Sequence, residues 1–334
     1  MEKKELFLLF DPKKREQMKI LPIKQIEYDE KKEFEILQMI YASKVPLVIR
    51  NSVIGSPMGL DYFAQNAPYK CRYYEYHEEH YIGTKFQKLS GVIEKIKKDQ
   101  PIKVFGMAMS KSIDEAVIKR VPLWKNIKRR PRFFMKKALI SYYIGAKHTN
   151  TPIHYDREYN NNLHVCLEGE KEVLLFTFDQ SKYLYQLPFV SDSAIDFTEP
   201  LADLQRKYPL LKHAQAYKVK LSGGDMLYMP QRCWHYTSYH SASIAATFAF
   251  YPKIIYQLYG LFSGSFFFGF KTAYGFGISD WPIFYILNCS FPVATGWRRR
   301  LLFLSLLPIK LILYPTVSIA IIFKLLLKEK PHRE

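Results

Sequence analysis

Closely spaced cysteines are missing from this chain. Its four, Cys71, Cys166, Cys233 and Cys289, stand far apart with no C-x-x-C among them. That excludes a thiolate zinc site of ordinary spacing and argues against a disulfide framework, so they read as reduced core thiols of a cytosolic protein. A secretory leader is not expected either. The opening MEKKELFLLFDPKK holds an apolar run of only five residues, shorter than a signal h-region, and the active part is expected to stay in the cytoplasm. There is no internal repeat and no low-complexity tract. No nucleic-acid motif accompanies the net charge of +18, so the charge alone calls for an anionic partner without naming nucleic acid, lipid head groups or an acidic protein. Its clusters lie at Lys119-Arg120, across 125–132 (KNIKRRPR) and at Lys136-Lys137.

Charge is the next scarcity, and it is local. Residues 254–323 carry only six charged side chains, whereas 1–253 carry 68 of the 80 in the chain. The shift divides the sequence into a soluble domain, 1–253, and an apolar C-terminal region, 254–334. Three apolar runs fill the latter, at 254–270, 281–297 and 301–323. The third suffices for a membrane-spanning helix, which needs about 20 apolar residues, although Lys310, Pro308 and Pro315 weaken it. Trp297 with Arg298, Arg299 and Arg300 reads as an interfacial anchor. The region is expected to associate with an anionic membrane surface, spanning it or lying on it. The alternative is a helical element that makes a homodimer.

What is abundant is aromatic side chains, 16% of the chain, and apolar stretches of strand length. Segments 20–26 and 45–50 read as strands around a helix near 31–42. Residues 70–78 alternate as another strand, and 90–99 is helical. Segments 138–145, 170–178, 225–230 and 243–250 are further strands. Helices early and strands late predict a mainly β domain with flanking helices, a barrel or double-sheet jelly roll.

The chemistry concentrates in TPIHYDREYNNNLHVCLEGEKEVLLF, residues 151–176. Residues two apart on a strand share a face, so His154 and Asp156 are expected to point inward together while Tyr155 faces away. A third ligand is available from GGDMLYMPQRCWHYTS, residues 223–238, as His235. Two imidazoles and a carboxylate on one side of a metal leave three positions open, a set suited to non-haem Fe(II) oxygen chemistry. An inward carboxylate on a sheet is costly unless it is paired or metal-bound. An inward Lys171 likewise needs an anion.

The ordered segments SYYIGAKHTNTPIHYD, NLHVCLEGEKEVLLF, DQSKYLYQLP and GGDMLYMPQRCWHY resemble the cupin-like branch of the JmjC family, which includes the asparaginyl hydroxylase acting on hypoxia-inducible factor. The resemblance spans residues 20 to 252. It implies a double-stranded β-helix that uses Fe(II), 2-oxoglutarate and O₂ to hydroxylate a substrate, releasing succinate and CO₂. It assigns His154, Asp156 and His235 to iron and Lys171 to the distal carboxylate of 2-oxoglutarate. Thr151 shares that carboxylate, and Asn162 and Tyr143 line the cosubstrate site. Two extra residues separate the His-x-Asp and Gly-x-Lys pairs compared with that hydroxylase, and Thr247 stands where it has an amide. Both departures bear on the substrate, expected to be a protein side chain. The alternatives are an RNA, a lipid or small molecule, or a cupin-like binding module without catalysis.

Overall fold

The computed structural model describes residues 18–127, 140–186 and 191–251, apart from 57, 157 and 158, with residues 253, 255 and 256 and scattered positions from 296 to 319. Among these residues fourteen strands form two sheets. In chain order they are β1 (Lys19–Leu21), β2 (Lys24–Glu27), β3 (Leu47–Arg50), β4 (Lys70–His77), β5 (His80–Lys88), β6 (Ile102–Met107), β7 (Ile140–Gly145), β8 (Asn150–His154), β9 (Asn161–Glu168), β10 (Glu170–Phe176), β11 (Gln215–Ser222), β12 (Met226–Met229), β13 (Trp234–Tyr239) and β14 (Ser243–Phe250). Among the described residues up to 251, six α-helices accompany them: α1 (Glu33–Ala42), α2 (Leu60–Asn66), α3 (Leu89–Lys97), α4 (Lys111–Arg120), α5 (Pro122–Asn126) and α6 (Leu201–Lys207). The smaller sheet runs β1-β11-β10-β13-β8, and the larger runs β2-β3-β12-β9-β14-β7-β6-β4-β5. The mainly β class with flanking helices is as the sequence predicts.

Period-two alternation sorts the side chains into three cores. On β9, Leu163, Val165 and Leu167 face the helices, joined by Ile144 of β7, Phe248 of β14 and the apolar faces of α1 to α5. The α3 helix shows why it docks there. Leu89, Val92, Ile93 and Ile96 recur at helical spacing and are all buried, while Lys95 and Lys97 lie near its end. Between the sheets sit Val48, Cys166, Val173, Leu175, Val219 and Leu227. The outer face of the smaller sheet is covered by the segment that contains α6, with Trp234, Tyr236, Leu174 and Phe176 packed beneath it. The intervening positions, on the inner faces of both sheets, hold the polar residues discussed below.

The stretch expected as one strand at 20–26 is two, because Pro22 supplies no backbone donor. On its two sides β1 pairs with β11 and β2 with β3, so the break carries the chain from one sheet to the other. Cys71, Cys166 and Cys233 are free and buried, and burial raises each thiol, Cys71 to about 11. They are core thiols, as expected. The basic residues 128–132, 136 and 137 lie outside the described residues, as do most of the apolar runs. Described positions of the third run are helical, with Leu301, Leu304 and Leu311 exposed. Among the described residues no helix is long and apolar enough to cross a membrane.

Gly169 joins β9 to β10 at φ +83°. A Cβ there would lie 2.3 Å from the Ala242 carbonyl oxygen and 2.4 Å from Ser243 Cβ. A left-handed backbone costs a non-glycine residue about 1–2 kcal/mol, and overpacking adds about 1–3 kcal/mol. Gly169→Ala should therefore lower unfolding stability by about 2–5 kcal/mol in a denaturant titration. An unchanged midpoint would mean that the hairpin tolerates a different turn.

Candidate metal and anion site

The smaller sheet positions the two histidines. β8 and β13 are antiparallel neighbours with His154 directly opposite His235, and the register shifts between His235 and Thr237. Directly opposed residues bring their Cβ atoms to about 5 Å, and here the imidazole rings are 4.2 Å apart between centroids. His154 Nδ1 donates to the Pro152 carbonyl at 2.7 Å, and His235 Nδ1 donates to the Cys233 carbonyl at 3.0 Å. Each backbone oxygen fixes a tautomer that leaves Nε2 with a lone pair for a cation. Burial, and then the neighbouring His235, push the His154 imidazole down to about 3, with the Asp156 carboxylate opposing. It is neutral, and a competent ligand, at physiological pH.

Asp156 is placed differently from expectation. β8 ends at His154, so Asp156 lies two residues past the strand rather than on it. It still converges, with Oδ1 3.9 Å from His154 Nε2. Its other oxygen accepts from Asn162 Nδ2, and Asn162 in turn accepts from Asn160 Nδ2. Asn162 therefore orients the carboxylate. Tyr155 faces the opposite way, as expected, its ring 4.8 Å from Trp234 and 5.4 Å from Phe178. One ligand atom from each of His154, Asp156 and His235 falls within 4.8 Å of the others. Two imidazoles and one carboxylate at that separation fit a divalent first-row cation after small side-chain movement.

Lys171 is the second residue of β10 and is fully buried. Its Nζ lies 2.6 Å from His164 Nε2, and His164 Nδ1 lies 2.6 Å from Thr247 Oγ1. The ammonium donates to Nε2, which puts the imidazole proton on Nδ1, directed at Thr247. Among the described residues the partner of Lys171 is thus a neutral ring on the opposite sheet rather than an anion. Burial pushes the Lys171 amine down to about 8, and burial with the Lys171 charge lowers His164 well below its usual range. Thr151 is buried on β8 and accepts from Lys103 Nζ. The Tyr143 ring stands edge-on to Phe105, at 5.2 Å between centroids, and 5.8 Å from His164.

All seven residues singled out in the sequence therefore lie on the inner faces of the sheets or at the adjoining strand end. Sequence reasoning missed Lys103 and His164. His164 was legible, since it stands two positions after Asn162 and shares its face of β9. Lys103 was not, because one lysine in IKVFGM (102–107) looks like a solvated residue on an edge strand.

A family model described as "Cupin-like domain" matches residues 73–255. JmjC domain-containing protein D of Dictyostelium discoideum is 30% identical over 118 residues, which make up 34% of this chain and 24% of that protein. HSPB1-associated protein 1 of Homo sapiens is 30% identical over 96 residues, 28% of this chain and 20% of that one. tRNA wybutosine-synthesizing protein 5 of Homo sapiens is 32% identical over 119 residues, 35% of this chain and 36% of that one. The matched part is thus a fifth to about a third of the length of these relatives.

Proposed function

The chain belongs to the cupin-like domain family, and from that premise we propose that it is an Fe(II)- and 2-oxoglutarate-dependent oxygenase that hydroxylates a protein side chain. The observation that carries the reading is the convergence of His154, Asp156 and His235 within 4.8 Å, beside a buried lysine. In it His154, Asp156 and His235 hold Fe(II), Lys171 and Thr151 hold the distal carboxylate, and Asn162 and Tyr143 flank the cosubstrate. Bound iron and 2-oxoglutarate would supply the O₂-dependent oxidative decarboxylation that drives hydroxylation. The chain's own residues do the positioning. The Pro152 and Cys233 carbonyls lock both imidazole tautomers, and Asn162 turns the Asp156 carboxylate toward them. The buried ammonium of Lys171 attracts a dianion into the interior, and the apolar flanks of both sheets keep bulk water out.

Two features bear on the substrate. The resemblance to a protein-asparaginyl hydroxylase favours a protein side chain, and one relative is named for association with another protein. A second reading, an RNA nucleotide, rests on the relative named for tRNA wybutosine synthesis and on the net charge of +18. Phosphate contacts would make RNA binding fall steeply with salt.

The test is turnover by the full chain with Fe(II), 2-oxoglutarate and air, followed as succinate. Iron-dependent succinate is expected even without substrate, slowly, and faster with peptide or RNA fractions. No succinate from protein shown to bind both iron and 2-oxoglutarate would overturn the enzymatic reading in favour of a binding module. A mass gain of one oxygen on RNA and not on peptides would move the substrate to the second reading.

A further inference from the structure

The interior holds a second buried lysine. Lys103, on β6 of the larger sheet, is 1% exposed. Its Nζ donates to the Asn150 carbonyl at 2.9 Å and to Thr151 Oγ1 on β8, across the gap between the sheets. It also lies 4.9 Å from the centre of the Phe105 ring and 5.5 Å from that of Tyr239. Lys171, from the smaller sheet, lies 5.6 Å from the same Tyr239 ring. Two amines thus enter from opposing sheets and share one aromatic neighbour.

The donor inventory does not close. Two ammonium groups carry six N–H bonds. Among the described residues Lys103 finds two oxygen acceptors and Lys171 one ring nitrogen, and neither forms an ion pair. Three donors are left without a protein acceptor among the described residues, and a buried charge without a counter-charge is strongly disfavoured. A carboxylate offers about four lone-pair sites on two oxygens and one full negative charge, which is the complement of what is missing. Consistent with that gap, burial and then the Lys171 charge lower the Lys103 amine well below the usual lysine range. Phe105, two residues along the same strand, lies 6.3 Å from His154 between ring centroids, so β6 carries this second amine beside the proposed metal ligands.

We propose that Lys103 is a specificity-determining residue that shares the distal carboxylate of the 2-oxo acid with Lys171, so that the site selects a dicarboxylate over a monocarboxylate with two cationic arms, one from each sheet. The inference rests on reading the interior as a 2-oxo acid site. In this arrangement Thr151 is a bridge: it accepts from Lys103 and keeps its own hydroxyl hydrogen for the same carboxylate.

The experiment is calorimetric titration of the full-length protein, loaded with Mn(II) under nitrogen, with 2-oxoglutarate and with pyruvate. The wild type should bind 2-oxoglutarate more tightly. Lys103→Met should weaken 2-oxoglutarate by about 10- to 100-fold, the worth of a charge-assisted hydrogen bond, and leave pyruvate within about twofold. The unfolding temperature of the empty variant should hold or rise, because a buried amine whose charged form the interior disfavours has been replaced by an apolar side chain. If Lys103→Met does not fold, Lys103→Gln carries the same test, since its amide still donates to the Asn150 carbonyl. A 2-oxoglutarate-to-pyruvate ratio unchanged in the Lys103 variant but collapsed in Lys171→Met would overturn the role of Lys103 and leave the cosubstrate reading standing. A wild type that does not discriminate the two acids would overturn both.

Discussion

Asp156→Ala should abolish iron-dependent succinate formation, to below about 1% of wild type, while leaving the fold intact. The loss follows from the ligand count: one of three donors within 4.8 Å disappears, and it is the only carboxylate among them. Replacing even the outer partners of metal ligands typically costs 10- to 100-fold in affinity, so losing a ligand should cost at least that. The fold should survive because Asp156 lies past the end of β8 and its side chain is 32% exposed. Its hydrogen-bond partner among the described residues, the Asn162 amide, loses an acceptor beside the site. A thermal melt separates the outcomes. Saturating Mn(II) should stabilise the wild type, by about 2.7 kcal/mol when the ion is at 100 times its dissociation constant. It should do little for the variant. If Asp156→Ala keeps both the metal-induced shift and succinate formation, the three side chains are not the metal centre.

The second large effect concerns Lys171. Lys171→Met should raise the dissociation constant of 2-oxoglutarate by about 10- to 100-fold, the range for hydrogen bonds to a charged group, in the same anaerobic titration. The wild type should also show a pH signature. Burial holds the Lys171 amine at about 8, well below a free lysine, so the ammonium that meets the dianion is present below pH 8. Above it, binding must recapture a proton, and the dissociation constant should climb about tenfold per pH unit. The empty protein carries the opposite trend. Its folded lysine binds the proton more weakly than the unfolded chain does, so stability should rise with pH between about 8 and the free-lysine value near 10.4. Lys103 adds a contribution of the same sign. Dicarboxylate affinity that stays flat from pH 7 to 10 would remove Lys171 from the site.

Much of this arrangement is legible in the chain, for reasons that can be named. β10 and β14 are near-continuous apolar runs because both their faces are covered, and such runs survive any reading of the sequence. His154, Asp156 and His235 are legible because a ligand pair two apart is a local pattern. β5 was missed: its residues are nearly all exposed, so no apolar face imposes alternation. β11 was missed because Lys218 and Lys220 interrupt it, and these pair with Glu172 and Glu170 of β10. That compensation lies some 50 residues away in sequence and is invisible locally. Lys103 was hidden for a related reason. Its burial depends on Thr151 and Tyr239, contributed by two strands of the other sheet.

One aspect of the strand order has a wider meaning for how the molecule is held together. Among the described residues β8 is the outermost strand of the smaller sheet, paired with β13 on one side and held on the other by a bridge from His154 to Asp192 and by backbone hydrogen bonds to Ser191 and from Ser193. Such borders are where backbones loosen first. An ion gripped by His154 and Asp156 on one side and by His235 on the other would rivet that border to its neighbour. Loading the centre and securing an edge of the smaller sheet would then be a single event, with the bound cation serving also as a structural clasp.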